Sequence, residues 1–240
     1  MTPDPADNDK KPKIWYRRPW VVTAFVICLI TGGAFIGLVL RAFSEAMTER
    51  QAAFTSNPAA TNTAASGDLT TLASGDDPSV GPADAAVTVV EFLDFQCPYS
   101  RQVFPTVRQL MQGYQGQVRF IIRDYPIADV HPLAESAAEA AMCVWEQGQN
   151  QYWSFHDRLF INQDDLTEAS ITELARLSGA DVTDLQNCLT TGRYREEVEA
   201  DLADGLALGV KGTPTFFVNG RKFEGVIPFD LFKQMIDRSL

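Results

Sequence analysis

The chain has 240 residues and a formal net charge of −11. This acidic balance argues against nucleic acid and against anionic lipid surfaces as partners. The length is sufficient for one domain with a sizeable core next to a separate N-terminal segment.

The N-terminal segment predicts a membrane anchor. Residues 1–14 are polar and are predicted to form a cytoplasmic tail. Trp20–Leu40 is uncharged and predominantly apolar, and such a run is roughly long enough to cross a bilayer core of about 30 Å as a helix. Basic residues cluster before this run, which predicts a cytoplasmic N-terminus and an extracytoplasmic remainder. We assign residues 15–41 to a single-pass anchor, and a cleaved signal peptide is the alternative.

The segment after the anchor predicts a flexible tether. Residues 42–81 are rich in Ala, Ser, Thr, Asn, Gly and Asp. About thirty residues of this kind have a root-mean-square span of roughly 30 Å. We therefore place the folded domain at residues 82–240, close to the membrane but not fixed to it.

Within residues 82–240, the hydrophobic pattern alternates between the periods of strands and helices. Strands are predicted at Val87–Phe92 and Gln117–Arg123, with a helix after Cys97 between them. A helical block follows over about residues 131–208, and one of its helices is predicted to begin with a Ser170–Glu173 capping box. The last elements are a hairpin and a helix: Thr215–Val218, the Asn219–Gly220 turn, Arg221–Phe223 and Phe229–Leu240. This order predicts an α/β layered domain.

The motif Cys97-Pro98-Tyr99-Ser100 lies where the first predicted strand passes into a helix. The N–H groups and the dipole of a helix N-terminus stabilise a thiolate, which is the reactive form of cysteine. Pro98 fits the first helical turn because no N–H donor is needed there. We therefore predict Cys97 to be an accessible, ionised nucleophile, and a buried structural thiol is the alternative.

Two separated segments, Phe92–Tyr99 and Gly209–Thr215, resemble the DsbA-like family of thiol–disulfide oxidoreductases. This family has a thioredoxin fold with an inserted helical block. The resemblance covers nearly all of residues 82–240, so we expect that α/β fold for the domain. The chain departs from the family pattern at Ser100, where the family carries its second cysteine.

The resemblance also implies a substrate-binding surface. Thr213–Pro214 is similar to the cis-proline dipeptide of the family, which faces the active-site cysteine and binds an extended substrate backbone. Pro98 and Tyr99 are expected to contribute to the same surface. An ordinary trans proline at the start of an edge strand is the alternative for Pro214.

Glu91 lies in the strand that leads to Cys97. In the family, an acid at this position can lie beneath the active site and influence proton transfer, which implies a proton-relay role. Strand alternation also allows an outward, solvated carboxylate.

Three cysteines, Cys97, Cys143 and Cys188, follow the predicted anchor. Three pairings are possible among them, and the helix-start position reserves Cys97 for chemistry. The resemblance implies that Cys143 pairs with Cys188, because some family members carry a similar structural disulfide. Two reduced, buried thiols are the alternative.

The chain contains two histidines, His131 and His156. Neither has cysteines or carboxylates at metal-ligand spacing, so the sequence predicts no metal site, and we expect no cofactor. A capping or packing role is predicted for both.

Ser100 determines the type of mechanism that the sequence predicts. A serine cannot form a disulfide, although its hydroxyl can donate a hydrogen bond to the Cys97 thiolate. The mixed disulfide with a substrate would then persist until another thiol attacked it. The serine is either natural or an engineered Cys→Ser trap.

The predicted function is extracytoplasmic thiol–disulfide exchange on exported polypeptides through Cys97, with a small thiol or a membrane redox partner as the second reactant. Two alternatives remain open at this point. One is a peptide-binding chaperone without enzymatic activity, and the other is a glutathione-dependent transferase or isomerase on the same scaffold.

Overall fold

The computed structural model describes Arg41 and residues 77–240. The strands of this part are β1 (Ser79–Val80), β2 (Val87–Leu93), β3 (Val118–Asp124), β4 (Thr215–Val218) and β5 (Arg221–Glu224). The helices are α1 (Pro98–Gly113), α2 (Ala134–Gln147), α3 (Gln149–Ile161), α4 (Glu168–Leu177), α5 (Val182–Thr191), α6 (Arg195–Ala207) and α7 (Phe229–Asp237). A short 3₁₀ helix, Gln163–Asp165, connects α3 to α4.

The five strands form one sheet in the order β1-β3-β2-β4-β5. Strands β2 and β3 are parallel, and the other neighbouring pairs are antiparallel. The central strand β2 aligns Glu91 with Ile122 of β3 and with Phe216 of β4. This register places the C-terminal end of β2 beside the N-terminal end of β4.

Both faces of β2 are buried. Val89 and Leu93 belong to the larger core cluster, which also contains Val103 of α1. Val90 and Phe92 belong to a second cluster on the opposite face of the sheet. A strand covered on both faces has a nearly continuous apolar sequence, which explains the pattern of this segment.

Helix α1 begins directly after Cys97, which is its N-cap residue. Pro98 occupies the first helical position, where its missing N–H costs no hydrogen bond. Pro105 lies inside the helix without ending it. The first turn of α1 therefore continues from the end of β2 through residues 94–97.

The helices α2 to α6 form an insertion between β3 and β4. A disulfide joins Cys143 of α2 to Cys188 of α5. This pairing agrees with the one that the family resemblance implied.

The start of α4 differs from the prediction. The capping box is formed by Thr167 and Ser170, whose side chains each accept a hydrogen bond from the backbone N–H of the other. Glu173 instead pairs with Arg176 at 2.6 Å on the exposed surface of the helix. The predicted Ser170–Glu173 box is wrong because a capping Thr three residues upstream starts the helix one turn earlier.

The predicted α/β fold with inserted helices is confirmed. Strand β1 lies within the segment that we assigned to the tether, and Ser79 and Val80 pair with Ile121 and Phe120 of β3. The end of the segment 42–81 therefore belongs to the sheet. A two-residue strand is too short to produce a hydrophobic period, so no sequence pattern predicts it.

The predicted tail, the anchor at Trp20–Leu40 and most of the tether lie outside the described residues. Among the residues that are described, no helix combines the length and the apolar character needed to cross a bilayer.

The disulfide should stabilise the helical insertion. It joins residues separated by 45 positions, so replacing both Cys143 and Cys188 by Ala should lower the free energy of unfolding by about 2–4 kcal/mol. Urea unfolding followed by circular dichroism measures this loss. The control is Cys97→Ala, which truncates another buried cysteine without breaking a disulfide and should lower the free energy of unfolding by less than the double variant does. Equal unfolding midpoints for the double variant and the parent would contradict this role.

Candidate active site

Cys97 lies at the N-terminus of α1 and carries a free thiol. Its backbone N–H donates to the carbonyl of Asp94 at 3.0 Å, and its own carbonyl accepts from the N–H of Arg101 at 3.1 Å. The first of these bonds closes the turn before the helix, and the second is the first hydrogen bond of the helix. The sulfur is thus attached to a backbone segment of fixed direction.

The peptide bond between Thr213 and Pro214 is cis, as the family resemblance implied. The Cys97 Sγ donates a hydrogen bond to the Thr213 carbonyl oxygen at 3.2 Å. Residues 116 positions apart in the chain therefore meet at the sulfur. The site thus combines a thiol at a helix N-terminus with the backbone of a cis-proline loop.

The loop that carries Thr213 is held at several points along its backbone. The Tyr125 hydroxyl donates to the Val210 carbonyl at 3.0 Å, and the Lys222 Nζ donates to the Gly209 carbonyl at 2.7 Å. Tyr125, which directly follows β3, and Lys222 of β5 thereby hold the loop beside Cys97.

Cys97 is less accessible than we predicted, because the residue exposes only 4% of its surface. Its sulfur is directed at the Thr213 carbonyl, and both Thr213 and Pro214 are buried. The neighbouring Pro98 and Tyr99 are exposed, and Tyr99 exposes 61% of its surface. The surface of the site is therefore formed by these neighbours more than by the cysteine itself.

Ser100 is fully buried, and its hydroxyl has no hydrogen-bond partner among residues 77–240. The predicted hydrogen bond from Ser100 to the Cys97 sulfur is thus absent from this structure. The reason is the orientation of the sulfur, which faces the Thr213 carbonyl. The second cysteine position of the motif holds a buried hydroxyl that takes no part in the observed contacts of Cys97.

Glu91 is buried in the centre of the sheet, which excludes the solvated orientation that alternation allowed. It points to the same face of β2 as Val89 and Leu93, and that face packs against α1. Burial raises the pKa of its carboxyl group from 4.5 to about 8. A group with this pKa is mostly protonated at neutral pH and can exchange a proton there.

Asp94, together with His131, supports the turn before Cys97. This pair was not predicted from the sequence. The Asp94 carboxylate accepts hydrogen bonds from the N–H of Gln96 at 2.7 Å and of Ile127 at 2.9 Å. Its second oxygen also lies 2.7 Å from His131 Nδ1. Asp94 therefore links the turn to the loop after β3. The only signal in the sequence was a carboxylate three residues before Cys97.

Gln163 supports the same turn from the helical insertion. Its side-chain amide donates to the Phe95 carbonyl at 2.8 Å and to the Cys97 carbonyl at 3.0 Å. The sequence offered no signal for this contact, because Gln163 lies in a polar segment far from the cysteine in the chain.

His156 packs within an aromatic cluster, as predicted. Its Nδ1 lies 3.0 Å from a carboxylate oxygen of Asp157, and burial lowers its pKa. Five aromatic rings have their centroids within 6.0 Å of the imidazole: Phe95, Phe104, Tyr152, Trp153 and Phe160.

A buried charge cluster joins α6 to the sheet. The Arg123 guanidinium donates to Asp201 at 2.6 Å and lies 3.4 Å from Asp77. Carboxylate oxygens of Asp77, Glu197 and Asp201 also lie within 4.8 Å of one another. Because the guanidinium already pairs with two of these three carboxylates, we interpret the cluster as an ion-pair network that fixes the helical insertion.

Comparison with known proteins places the chain in a family. A family model described as "Thioredoxin" matches residues 73–238. A probable disulfide bond formation protein D from Bacillus cereus is 33% identical over 173 residues, which cover 68% of this chain and 78% of that protein. The crystal structure of oxidised BdbD from Bacillus subtilis superimposes with a TM-score of 0.60 at 26% identity, covering 68% of this chain and 92% of that one.

The chain therefore belongs to the thioredoxin-like proteins and, among them, to the DsbA-like thiol–disulfide oxidoreductase family. A different kind of relative is the Na(+)/H(+) antiporter NhaA 3 of Salinispora tropica, which is 42% identical over 145 residues. That alignment covers 60% of this chain and 22% of the antiporter. The chain thus spans less than a quarter of the length of this relative.

The raised pKa of Glu91 predicts a pH-dependent stability. Between pH 4.5 and 8 the folded protein holds a proton on Glu91 that the unfolded chain releases. The contribution of this proton to the free energy of unfolding is therefore complete below pH 4.5 and is lost as the pH rises through 8. The free energy of unfolding decreases by at most about 1.4 kcal/mol per pH unit in this range. Glu91→Gln should remove this slope in urea unfolding measured from pH 5 to pH 8.

The control for this series is Glu135→Gln, which removes a carboxyl group exposed on α2. This variant should keep the slope of the parent. The prediction would be contradicted if the free energy of unfolding decreased from pH 5 to pH 8 equally in the parent and in Glu91→Gln.

Proposed function

We propose that this protein catalyses thiol–disulfide exchange on exported polypeptides through the single thiol of Cys97. The observation that carries the proposal is the contact between the free Cys97 sulfur, at a helix N-terminus, and the backbone of the cis-proline loop at Thr213. A substrate segment that pairs with this loop would bring its own sulfur next to Cys97. Membership in the DsbA-like family supports the same reaction class.

The first step forms a mixed disulfide. The Cys97 thiolate attacks one sulfur of a substrate disulfide, a bond forms between these two sulfurs, and the substrate disulfide breaks. The electron pair of the broken bond leaves with the second substrate sulfur as a thiolate. Glu91, with a pKa of about 8, is proposed as the proton relay for the sulfur.

The second step needs a thiol from another molecule or from the substrate. Ser100 cannot attack the mixed disulfide, and Cys143 and Cys188 are bonded to each other. An incoming thiolate therefore attacks the substrate sulfur, and Cys97 leaves as a thiolate. When the incoming thiolate belongs to the same polypeptide, the net reaction is a disulfide isomerisation without net oxidation.

The proposed location is outside the cytoplasm, on a single-pass anchor formed by residues 15–41. The cluster of basic residues before Trp20–Leu40 supports this orientation. The disulfide between Cys143 and Cys188 is typical of an oxidising compartment. The proposed partners are exported polypeptides, with a small thiol or a membrane redox protein as the source of the second thiol.

The role of Cys97 is tested with a protein that contains scrambled disulfides. The parent, supplied with a small thiol, should accelerate recovery of the native pairing, and Cys97→Ala should recover it only at the rate of the protein-free reaction. Refolding yield over time is the measurement. Equal rates for the parent and Cys97→Ala would exclude exchange chemistry and favour a binding role.

The role of Ser100 is tested by restoring a second thiol. Ser100→Cys, first oxidised with diamide as the two-electron acceptor and then freed of the reagent, should carry a disulfide with Cys97 and transfer it to a reduced peptide, which the parent cannot do. Ser100→Ala is the matched control, because it also changes the buried hydroxyl but adds no thiol. Peptide oxidation measured by mass is the readout, and oxidation by the parent as fast as by Ser100→Cys would contradict the single-thiol mechanism.

A further inference from the structure

The side chain of Gln163 holds the backbone on both sides of Gln96. Its Nε2 donates one hydrogen bond to the Phe95 carbonyl at 2.8 Å and one to the Cys97 carbonyl at 3.0 Å. Both hydrogens of the amide nitrogen are therefore used on a single turn of the chain. The Cys97 carbonyl is also the acceptor of the first hydrogen bond of α1, from Arg101.

Gln163 is itself firmly held. It opens the 3₁₀ helix Gln163–Asp165, which is closed by a hydrogen bond from the Asp165 N–H to the Asn162 carbonyl at 3.0 Å. The Asn162 side chain donates to the Arg158 carbonyl at 2.8 Å, which ties this segment to the end of α3. The next residue, Asp164, forms an ion pair of 2.7 Å with Arg101 in the first turn of α1.

We infer that Gln163 is a positioning residue, which sets the direction of the Cys97 sulfur towards a substrate disulfide. The inference deepens the proposed function and rests on it. The backbone of Cys97 sets the direction of its Cα–Cβ bond, from which the Sγ atom reaches the Thr213 carbonyl. Gln163 binds the carbonyl of Cys97 and that of the residue two positions earlier. The helical insertion thereby controls the geometry of attack at the N-terminus of α1.

Loss of the Gln163 hydrogen bonds should change the direction of the Cys97 sulfur more than it lowers the stability of the fold. The same turn is also held from its other side, where Asp94 accepts from Gln96 and the Gln96 side chain accepts from the Leu133 N–H at 2.6 Å. The turn therefore keeps its place in the fold, while the Phe95 and Cys97 carbonyls each lose the Gln163 donor and their peptide planes are held less tightly, the Cys97 carbonyl keeping its bond from Arg101.

A peptide disulfide and iodoacetamide together distinguish a change in the direction of the Cys97 sulfur from a change in its general reactivity. Attack on a peptide disulfide requires the sulfur to approach along the S–S axis while the peptide is bound beside Thr213. Alkylation by iodoacetamide requires only that the reagent reach the sulfur. A positioning defect therefore slows the first reaction selectively, whereas general loosening of the protein changes both reactions together.

The experiment compares Gln163→Leu with the parent in full-length protein. Mixed-disulfide formation with a peptide disulfide is measured in a single turnover, together with the rate of iodoacetamide alkylation and the thermal midpoint. We expect the peptide reaction to slow about tenfold, which is less than the roughly hundredfold loss that a displacement of about 1 Å can cause. Alkylation should change less than about threefold, since it lacks the geometric requirement.

Two further variants control the comparison. Asp164→Asn removes the neighbouring ion pair but leaves Gln163 in place, and it should react with the peptide within about twofold of the parent. Gln163→Glu keeps the shape of the side chain but has no N–H donor, and it should reproduce the defect if Gln163→Leu does not fold.

The outcomes separate this inference from the proposed function. Equal peptide rates for the parent and both Gln163 variants would overturn the inference, as would a parallel change in the peptide and alkylation rates. If the parent itself forms no mixed disulfide above the level of Cys97→Ala, the proposed function fails, independently of Gln163.

Discussion

The contact between the Cys97 sulfur and the Thr213 carbonyl defines the site, and the sheet register brings the two segments that form it together. Strand β4 runs antiparallel to β2, with Thr215 opposite Phe92. The end of β2 therefore lies beside the start of β4, and the segments that continue from these ends must meet. One of these segments ends in the N-cap of α1, and the other is the cis-proline loop.

The site retains polar groups that a purely structural core would not contain. Glu91 lies among apolar residues at the centre of the sheet, where burial raises its pKa to about 8. The hydroxyl groups of Ser100 and Thr213 are buried without a hydrogen-bond partner in the described part of the chain. Buried polar groups without partners lower the stability of the fold, and in proteins they are concentrated at functional sites. Ser100 lies in the first turn of the helix that follows Cys97, and Thr213 carries the carbonyl that the Cys97 thiol faces.

The sequence predicted the elements with a clear hydrophobic period and the residues that carry a family motif, such as Cys97 and Pro214. It could not decide the orientation of Glu91, because a strand buried on both faces has no polar side to reveal its alternation. Gln163 escaped prediction for a different reason. Its partners are backbone carbonyls, which every residue possesses, so no pattern of side chains marks the contact.

The helical insertion acts on the site through two separate features. The disulfide between Cys143 and Cys188 joins α2 to α5 and so limits how far the insertion can open. Gln163 lies between α3 and α4, within the same insertion, and its amide reaches the turn that carries Cys97. The disulfide therefore bears on the stability of the insertion, whereas the Gln163 amide bears on the turn that carries Cys97. The ion pair between Asp164 and Arg101 ties the same segment to the first turn of α1, so this segment connects the insertion to the N-terminus of that helix.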